Sequence, residues 1–160
     1  MRAQNALGGY YLRGVGVTQD FTRAAYWFRR AAQQGFAVAQ ANLGVLLLMG
    51  RGADEDPAAA ARWFDRAARQ NDPVAAHNLG YLYEKGFGVP RDLVQAARHY
   101  EAAARRGIAD SQYALGHCYE FGKGVKINAD RALFWYHKAA DQGYRKAIER
   151  IQALITMPDP

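Results

Sequence analysis

One short stretch of the chain recurs at a fixed spacing, and this recurrence limits the folds that the chain can adopt. Residues 79–89 read LGYLYEKGFGV, and related segments stand at intervals of 36 residues on both sides. An uninterrupted period of this length is typical of stacked supersecondary units and argues against one conventional core. The recurring leucine-glycine pairs and later glycines are Leu7-Gly8, Gly14 and Gly16; Leu43-Gly44, Gly50 and Gly52; Leu79-Gly80, Gly86 and Gly88; and Leu115-Gly116, Gly122 and Gly124.

The composition is that of a chain that can bury a core. Half of the 160 residues are apolar and 22% are charged, so we expect one folded domain over 1–160. Cys118 is the only cysteine, which excludes an internal disulfide. No apolar run reaches the roughly 18 residues of a membrane span, and residues 1–5 do not begin a secretory leader. We therefore expect a soluble chain without membrane insertion.

The period predicts an all-α chain of four helix-turn-helix repeats. The predicted repeats are 1–36, 37–72, 73–108 and 109–144, followed by a capping helix over 145–156 and a frayed tail over 157–160. The first helix of each repeat is expected near 3–13, 37–49, 73–85 and 109–121, and the second near 20–34, 56–70, 92–106 and 128–142. Residues that favour helix N-caps, Asp20, Asp56, Asp92 and Asn128, mark where the second helices start. Gly35, Asn71, Gly107 and Gly143 mark their ends, because glycine and asparagine accept a left-handed backbone.

A glycine stands in the middle of every first helix, at Gly8, Gly44, Gly80 and Gly116. Glycine inside a helix costs about 0.5 to 1 kcal/mol relative to alanine, so close packing must offset this cost. Aromatic pairs in the second helices, such as Trp27-Phe28, are the expected partners. The last unit carries Gln152 at the equivalent position, as expected for a helix that receives no second helix. Ile151, Leu154 and Ile155 are expected to cover the fourth repeat.

The consensus LGxLYxxGxGVxxDxxxAxxW(F/Y)xxAAxxG, repeated over essentially the whole chain, resembles the Sel-one-like repeat family, a relative of the tetratricopeptide repeats. The resemblance implies a right-handed α-α superhelix, or solenoid, whose first helices line a concave groove that binds protein segments. Members typically act as adaptors, scaffolds or regulators in bacteria. The departures are few: His99 replaces the tryptophan, Leu47 the tyrosine and Ala53 the valine.

If the first helices line a groove as in these relatives, its residues are those outside the repeated core positions, and they recur at three-to-four-residue spacing on one face. Ala41 also falls on this face. The resulting partner-binding residues are Asn42, Val45, Leu48, Met49, His77, Asn78, Tyr81, Glu84, Lys85, Tyr113, His117, Glu120 and Phe121. The face grades from apolar to aromatic and polar, so a matching ligand would present an apolar anchor first and hydrogen-bonding groups later. Alternatively, the apolar part is core or is covered by a neighbouring repeat or subunit.

Two other function classes remain open. His77, His117, Glu84 and Glu120 could meet between neighbouring first helices as a metal or acid-base site, although no catalytic motif accompanies them. The net charge of +6 and the arginines of the second helices would suit a basic nucleic-acid-binding solenoid, although a solvated outer face explains them as well.

The favoured hypothesis is a non-enzymatic protein-protein interaction module without cofactor or metal, which acts as a monomer or weak oligomer. Cys118 is expected to be a buried, inert thiol. The compartment is either the bacterial cytoplasm, or the periplasm or exterior if a leader has been removed.

Overall fold

A computed structural model describes residues 1–156, and the predicted frayed tail over 157–160 lies outside this range. Nine α-helices make up the regular structure of the described part. The first helices of the units are α1 (Arg2–Arg13), α3 (Ala37–Leu48), α5 (Pro73–Lys85), α7 (Ala109–Phe121) and α9 (Arg145–Thr156). The second helices are α2 (Phe21–Gln33), α4 (Pro57–Ala68), α6 (Leu93–Ala104) and α8 (Ala129–Ala140).

Each helix packs against the next one in the chain, both inside a repeat and from one repeat to the following one. The buried residues form two clusters, one from α2 to α5 and one from α6 to α9, and Tyr83 packs against both. The contacts are therefore local in sequence and continue along the stack, as in repeat proteins. The predicted all-α repeat superhelix is confirmed.

The second helices begin at the predicted capping residues. The side-chain oxygens of Asp20, Asp56, Asp92 and Asn128 accept hydrogen bonds from the backbone N–H three residues later, at 2.9, 2.8, 3.0 and 2.8 Å. Each bond satisfies a backbone donor that has no partner inside the helix. These caps place all four second helices in the same register relative to the preceding loop.

Asn71 shows how the repeats turn from one unit to the next. It has a φ of 63°, and it is the one non-glycine residue with a positive φ within 1–156. The glycines that end the other second helices also have a positive φ, for example Gly107 with a φ of 89°. The predicted interchange of glycine and asparagine at this turn is confirmed.

The mid-helix glycines are the places where an aromatic ring of the second helix touches the first helix. A Cβ atom added at Gly8, Gly44, Gly80 or Gly116 would lie 2.7, 2.6, 2.8 or 2.7 Å from a ring carbon. The rings belong to Phe28, Phe64, Tyr100 and Tyr136, which are at most 3% exposed. Real Cβ atoms do not come this close, so the glycine is required by the ring and the predicted compensation is confirmed.

A second glycine contact joins neighbouring repeats. Gly88 lies against the backbone of Pro57 and Ala58 at the start of α4, and Gly124 lies against Leu93 at the start of α6. Neither position has room for a side chain. The loop of each repeat after the first is therefore seated on the start of the preceding second helix.

The packing of the last helix, α9, agrees with the prediction only in part. Ile151 is buried and Leu154 packs against the second cluster, whereas Gln152 is exposed. The expectation that Ile155 covers the fourth repeat is wrong, because its side chain is 73% exposed. Ile155 occupies the position of Tyr119, whose ring faces the second helix of its own repeat, and no such helix follows α9 within the described residues.

We expect Gly80→Leu to lower the free energy of unfolding by about 1 to 3 kcal/mol or more, because the new side chain must displace the buried ring of Tyr100. Gln152→Leu is the matched control, since residue 152 is exposed and needs no ring. Urea unfolding followed by circular dichroism measures both. Equal midpoints for the two variants would contradict the role assigned to the glycine.

Candidate functional site

The predicted groove residues lie on α3, α5 and α7, and they differ in how far they are exposed. Tyr81 and Phe121 keep 37% and 49% of their surface, and Met49 keeps 58%. Lys85 is also exposed. The remaining residues of the set are half-buried: Asn42, Val45, Leu48, His77, Asn78, Glu84, Tyr113, His117 and Glu120. We call this set the first-helix face.

The α3 end of the first-helix face belongs partly to the core. Val45 and Leu48 pack against the first buried cluster, and Ala41, which was expected on the groove surface, is only 3% exposed. Asn42 donates a hydrogen bond from Nδ2 to Oδ1 of Asn5 at 3.2 Å. The assignment of Ala41 to the surface is therefore wrong, because its side chain belongs to the first buried cluster.

His77 links two first helices. Its Nδ1 atom lies 2.7 Å from the hydroxyl oxygen of the fully buried Ser111 on α7. Burial lowers the pKa of His77 below its ordinary value, and the nearby charge of Asp110 only partly opposes this effect. A neutral imidazole with this partner is a structural link between repeats three and four.

Glu84 and Glu120 each hold a buried tyrosine hydroxyl. Tyr100 donates to Oε2 of Glu84 at 2.7 Å, and Tyr136 donates to Oε2 of Glu120 at 2.6 Å. Burial and the carboxylate raise the pKa of both tyrosines well above the ordinary value. These rings are the same ones that cover Gly80 and Gly116, so the hydroxyl group of each ring needs an acceptor on the first helix.

The first two repeats show the apolar version of this arrangement. Their rings are Phe28 and Phe64, and the positions of the two glutamates hold Leu12 and Leu48. A carboxylate therefore stands on the first helix only in the repeats whose ring carries a hydroxyl group. This pairing was visible in the sequence, but it was not used to assign a role to the glutamates.

Glu120 also forms an ion pair with the last helix. Arg150 donates from Nε to Oε2 of Glu120 at 3.0 Å and from a terminal nitrogen to Oε1. The two side chains are 28% and 13% exposed, and the guanidinium carbon lies 5.5 Å from the ring centre of Phe121. Desolvation works to raise the pKa of Glu120, but the hydrogen bonds from Arg150 and Tyr136 outweigh it and the pKa is lowered. Arg150 was not among the predicted site residues.

Aromatic side chains gather at the α7 end of the face. The ring centre of Tyr113 lies 5.5 Å from that of Tyr136 and 5.4 Å from that of Tyr144. The ring centres of His117 and Phe121 lie 4.5 Å apart. Burial, together with a 2.9 Å hydrogen bond to Asp110, raises the pKa of Tyr144 to about 12. Tyr144 was not among the predicted site residues, because it directly precedes α9, which the sequence predicts as a capping helix.

The four residues considered for a metal or acid-base site are not arranged to bind a metal ion. Within residues 1–156, no group of three histidine, cysteine or acidic side chains is arranged to hold a metal ion. Burial and the charge of Lys123 lower the pKa of His117, although Glu120 and Glu84 oppose them. Burial raises the pKa of Cys118 to about 11, so this thiol is a poor nucleophile at neutral pH.

A cleft on the other side of the molecule was not predicted. It lies between α4 and α6, has a volume of about 720 Å³ and is lined by Asp65, Arg69, Arg98 and His99 among others. The ring of His99 stacks on Tyr83 at 5.6 Å, and it is smaller than the tryptophan of the other repeats. This substitution was noticed in the sequence and is the signal that could have revealed the cleft.

The fold, the four ring-on-glycine contacts and the capped second helices define a helical repeat protein. The family model for the Sel1 repeat matches residues 2–36, 37–72, 73–108 and 109–144. The chain belongs to the Sel1 repeat family. Proteins of this family are generally protein-interaction scaffolds and are typically non-catalytic.

Solved structures support the same family. The chain is 37% identical to c5321, a protective antigen of uropathogenic Escherichia coli strains, with a TM-score of 0.90 over 94% of this chain and 32% of that one. It is 36% identical to a Sel1 repeat protein from Oxalobacter formigenes, with a TM-score of 0.85 over 91% of this chain and 60% of that one. The chain thus spans about a third and about three fifths of these relatives.

A more distant relative shows the fold alone. The cysteine-rich protein B of Helicobacter pylori is 24% identical, with a TM-score of 0.65 over 82% of this chain and 94% of that one. Among curated proteins, none matches the sequence. In the part of the chain that the structure describes, every helix is too short or too polar to cross a membrane.

We expect Glu120→Gln to lower the free energy of unfolding at neutral pH by about 1.5 to 3 kcal/mol, because it removes the charge that Arg150 meets. The pKa of Glu120 is depressed in the folded state, so its contribution is present above the unfolded value and is lost as the pH falls through the folded value. The difference between wild type and variant should therefore shrink in acid. Urea titrations at neutral and acidic pH measure this, and a difference that does not change with pH would contradict the ion pair.

Proposed function

We propose that the chain is a non-enzymatic interaction module that binds a peptide or protein segment on the first-helix face. The observation that carries the proposal is the exposure of Tyr81 and Phe121, at 37% and 49%, on helices whose other tyrosines and leucines are buried or half-buried. Partly exposed aromatic side chains beside fixed polar groups are typical of protein-binding surfaces. The concave shape implied by the family would present this face to one ligand.

The polar groups beside the aromatic side chains are already held in place. Tyr100 fixes the carboxylate of Glu84, and Ser111 fixes the ring of His77. A surface whose side chains are fixed before binding loses less conformational entropy when a ligand arrives. This supports the part of the face on α5 and α7 as the centre of recognition.

The apolar part of the face contributes at its edges. Met49 keeps 58% of its surface, whereas Val45 and Leu48 pack into the core. The proposed ligand therefore places an apolar side chain near the end of α3 and hydrogen-bonding groups against α5 and α7.

The other function classes receive less support from the contacts. Three residues of the suggested metal or acid-base site, His77, Glu84 and Glu120, form separate hydrogen bonds within the repeat stack. Several arginines of the second helices form ion pairs inside their own helix, for example Arg69 with Asp65 and Arg105 with Glu101. These pairs reduce the positive charge available to a nucleic acid.

The remaining expectations belong to the same proposal. Residues 1–160 act as one solenoid domain, as a monomer or weak oligomer. Since the structural relatives come from bacteria, we place the chain in a bacterium, either in the cytoplasm or beyond the inner membrane.

The test is affinity capture of partners with the double variant Tyr81→Ala/Phe121→Ala. We chose these residues because both are exposed, whereas Tyr113 is packed between other rings. The matched control is Tyr26→Ala/Phe134→Ala, which removes two rings of similar exposure, 50% and 53%, from the second helices.

We expect the first double variant to lose captured proteins that the wild type and the control retain. Each aromatic contact at the centre of an interface is worth about 2 kcal/mol or more, so loss of both should reduce retention at least tenfold. If the control loses the partners and Tyr81→Ala/Phe121→Ala keeps them, the binding surface is on the second helices and the proposal is wrong.

A further inference from the structure

Two consecutive first helices lie side by side in the stack. One residue of the later helix therefore lies opposite the position that Glu84 or Glu120 occupies in the earlier helix. Arg150 on α9 has this place opposite Glu120. One period earlier, the corresponding residues are Ala114 on α7 and Glu84 on α5. The two junctions have equivalent helices and the same tyrosine–glutamate hydrogen bond, but an arginine pairs with the glutamate only at the last one.

Glu84 is thus a carboxylate opposite which α7 carries alanine, where α9 carries Arg150 opposite Glu120. Its Oε2 atom accepts from Tyr100, while no lysine, arginine or histidine of residues 1–156 forms an ion pair with it. Burial raises the pKa of Cys118 and lowers that of His117, and the charge of Glu84 acts to raise both, so the carboxylate lies near these two residues of α7. Ala114 is too short to reach it, whereas an arginine in the same place reaches Glu120.

We propose that Glu84 binds an arginine side chain of the partner protein, and that Arg150 on Glu120 shows the geometry of this contact. At the last junction the guanidinium donates to both carboxylate oxygens while the tyrosine hydroxyl holds one of them. A planar fork of donors matches a carboxylate in this way better than an ammonium group does, which favours arginine over lysine. The inference rests on the proposed function and names the ligand group that the face recognises.

One difference between the junctions weakens the contact at Glu84. The ring of Phe121 lies beside the guanidinium of Arg150, whereas the same position next to Glu84 holds Lys85. The ammonium group of Lys85 lies 5.9 Å from the ring centre of Tyr81. Its positive charge repels an incoming arginine, so replacing Lys85 by phenylalanine should strengthen binding.

The experiment is an NMR titration of the ¹⁵N-labelled chain with N-acetyl-arginine amide. N-acetyl-citrulline amide is the matched probe, because it has nearly the same shape and no charge. We expect saturable shifts of the backbone amides around Glu84 and Ala114, with the citrulline probe at least about tenfold weaker. Equal binding of the two probes, or no saturable shift in this region, would overturn the proposal.

Variants of the chain test the geometry. Glu84→Gln keeps an acceptor for Tyr100 but removes the charge, and should weaken the arginine probe at least about tenfold. Ala114→Arg should place a guanidinium group of the chain itself beside Glu84 and block binding of the probe. Lys85→Phe should strengthen binding of the probe several-fold. Arg150→Ala should open a second site for the probe at Glu120. An Ala114→Arg protein that binds the probe as the wild type does would contradict the proposed location.

Partner capture separates this inference from the proposed function. If Glu84→Gln retains the captured partners while Tyr81→Ala/Phe121→Ala loses them, the first-helix face binds protein but the arginine contact is wrong. If partners are retained by both variants, the proposed function itself fails. Loss of partners with Glu84→Gln, together with the charge-dependent probe titration, supports the arginine contact.

Discussion

The structure depends on one contact, that of an aromatic ring in the second helix with the mid-helix glycine of the first. The contact occurs in all four repeats, and it brings the backbone of one helix against a flat side chain of the other. It explains why glycine is present where helix propensity disfavours it, since a Cβ atom would overlap the ring. The second loop glycine then seats each repeat on the preceding one, so two small-residue contacts fix the pair and the stack.

The same contact decides which polar groups reach the first-helix face. A phenylalanine ring over the glycine is accompanied by a leucine, and a tyrosine ring brings its hydroxyl group to the edge of the helix pair, where a glutamate accepts it. The chemistry of the face therefore changes along the stack from apolar to polar without any change of backbone. At the last junction Arg150 pairs with the carboxylate of Glu120, and at the junction before it Ala114 stands in the place of the arginine.

Most of the fold could be predicted from the sequence because the period, the caps and the glycines are local signals that recur. Asp56, Asn71 and Gly80 each had one physical explanation, and the structure agrees with all three. The side chains of the candidate site were harder, because their roles depend on the residue opposite in another repeat. For this reason Ala41 is buried and Ile155 is exposed, contrary to expectation, because the pattern of one helix does not show which neighbouring helix covers each residue. Comparing equivalent positions in all repeats, such as Leu48 with Glu84, supplies part of the missing information.

The ring-on-glycine contact is tested most directly by changing both of its partners. Gly80→Leu forces a side chain into the space of the Tyr100 ring, and Tyr100→Ala removes the ring and leaves that space empty. If the two groups compete for one space, the double variant should be more stable than the sum of the single effects predicts, by about 0.5 to 3 kcal/mol in urea unfolding. Strictly additive effects would show that the glycine and the ring act independently, and the account of the repeat would then be wrong.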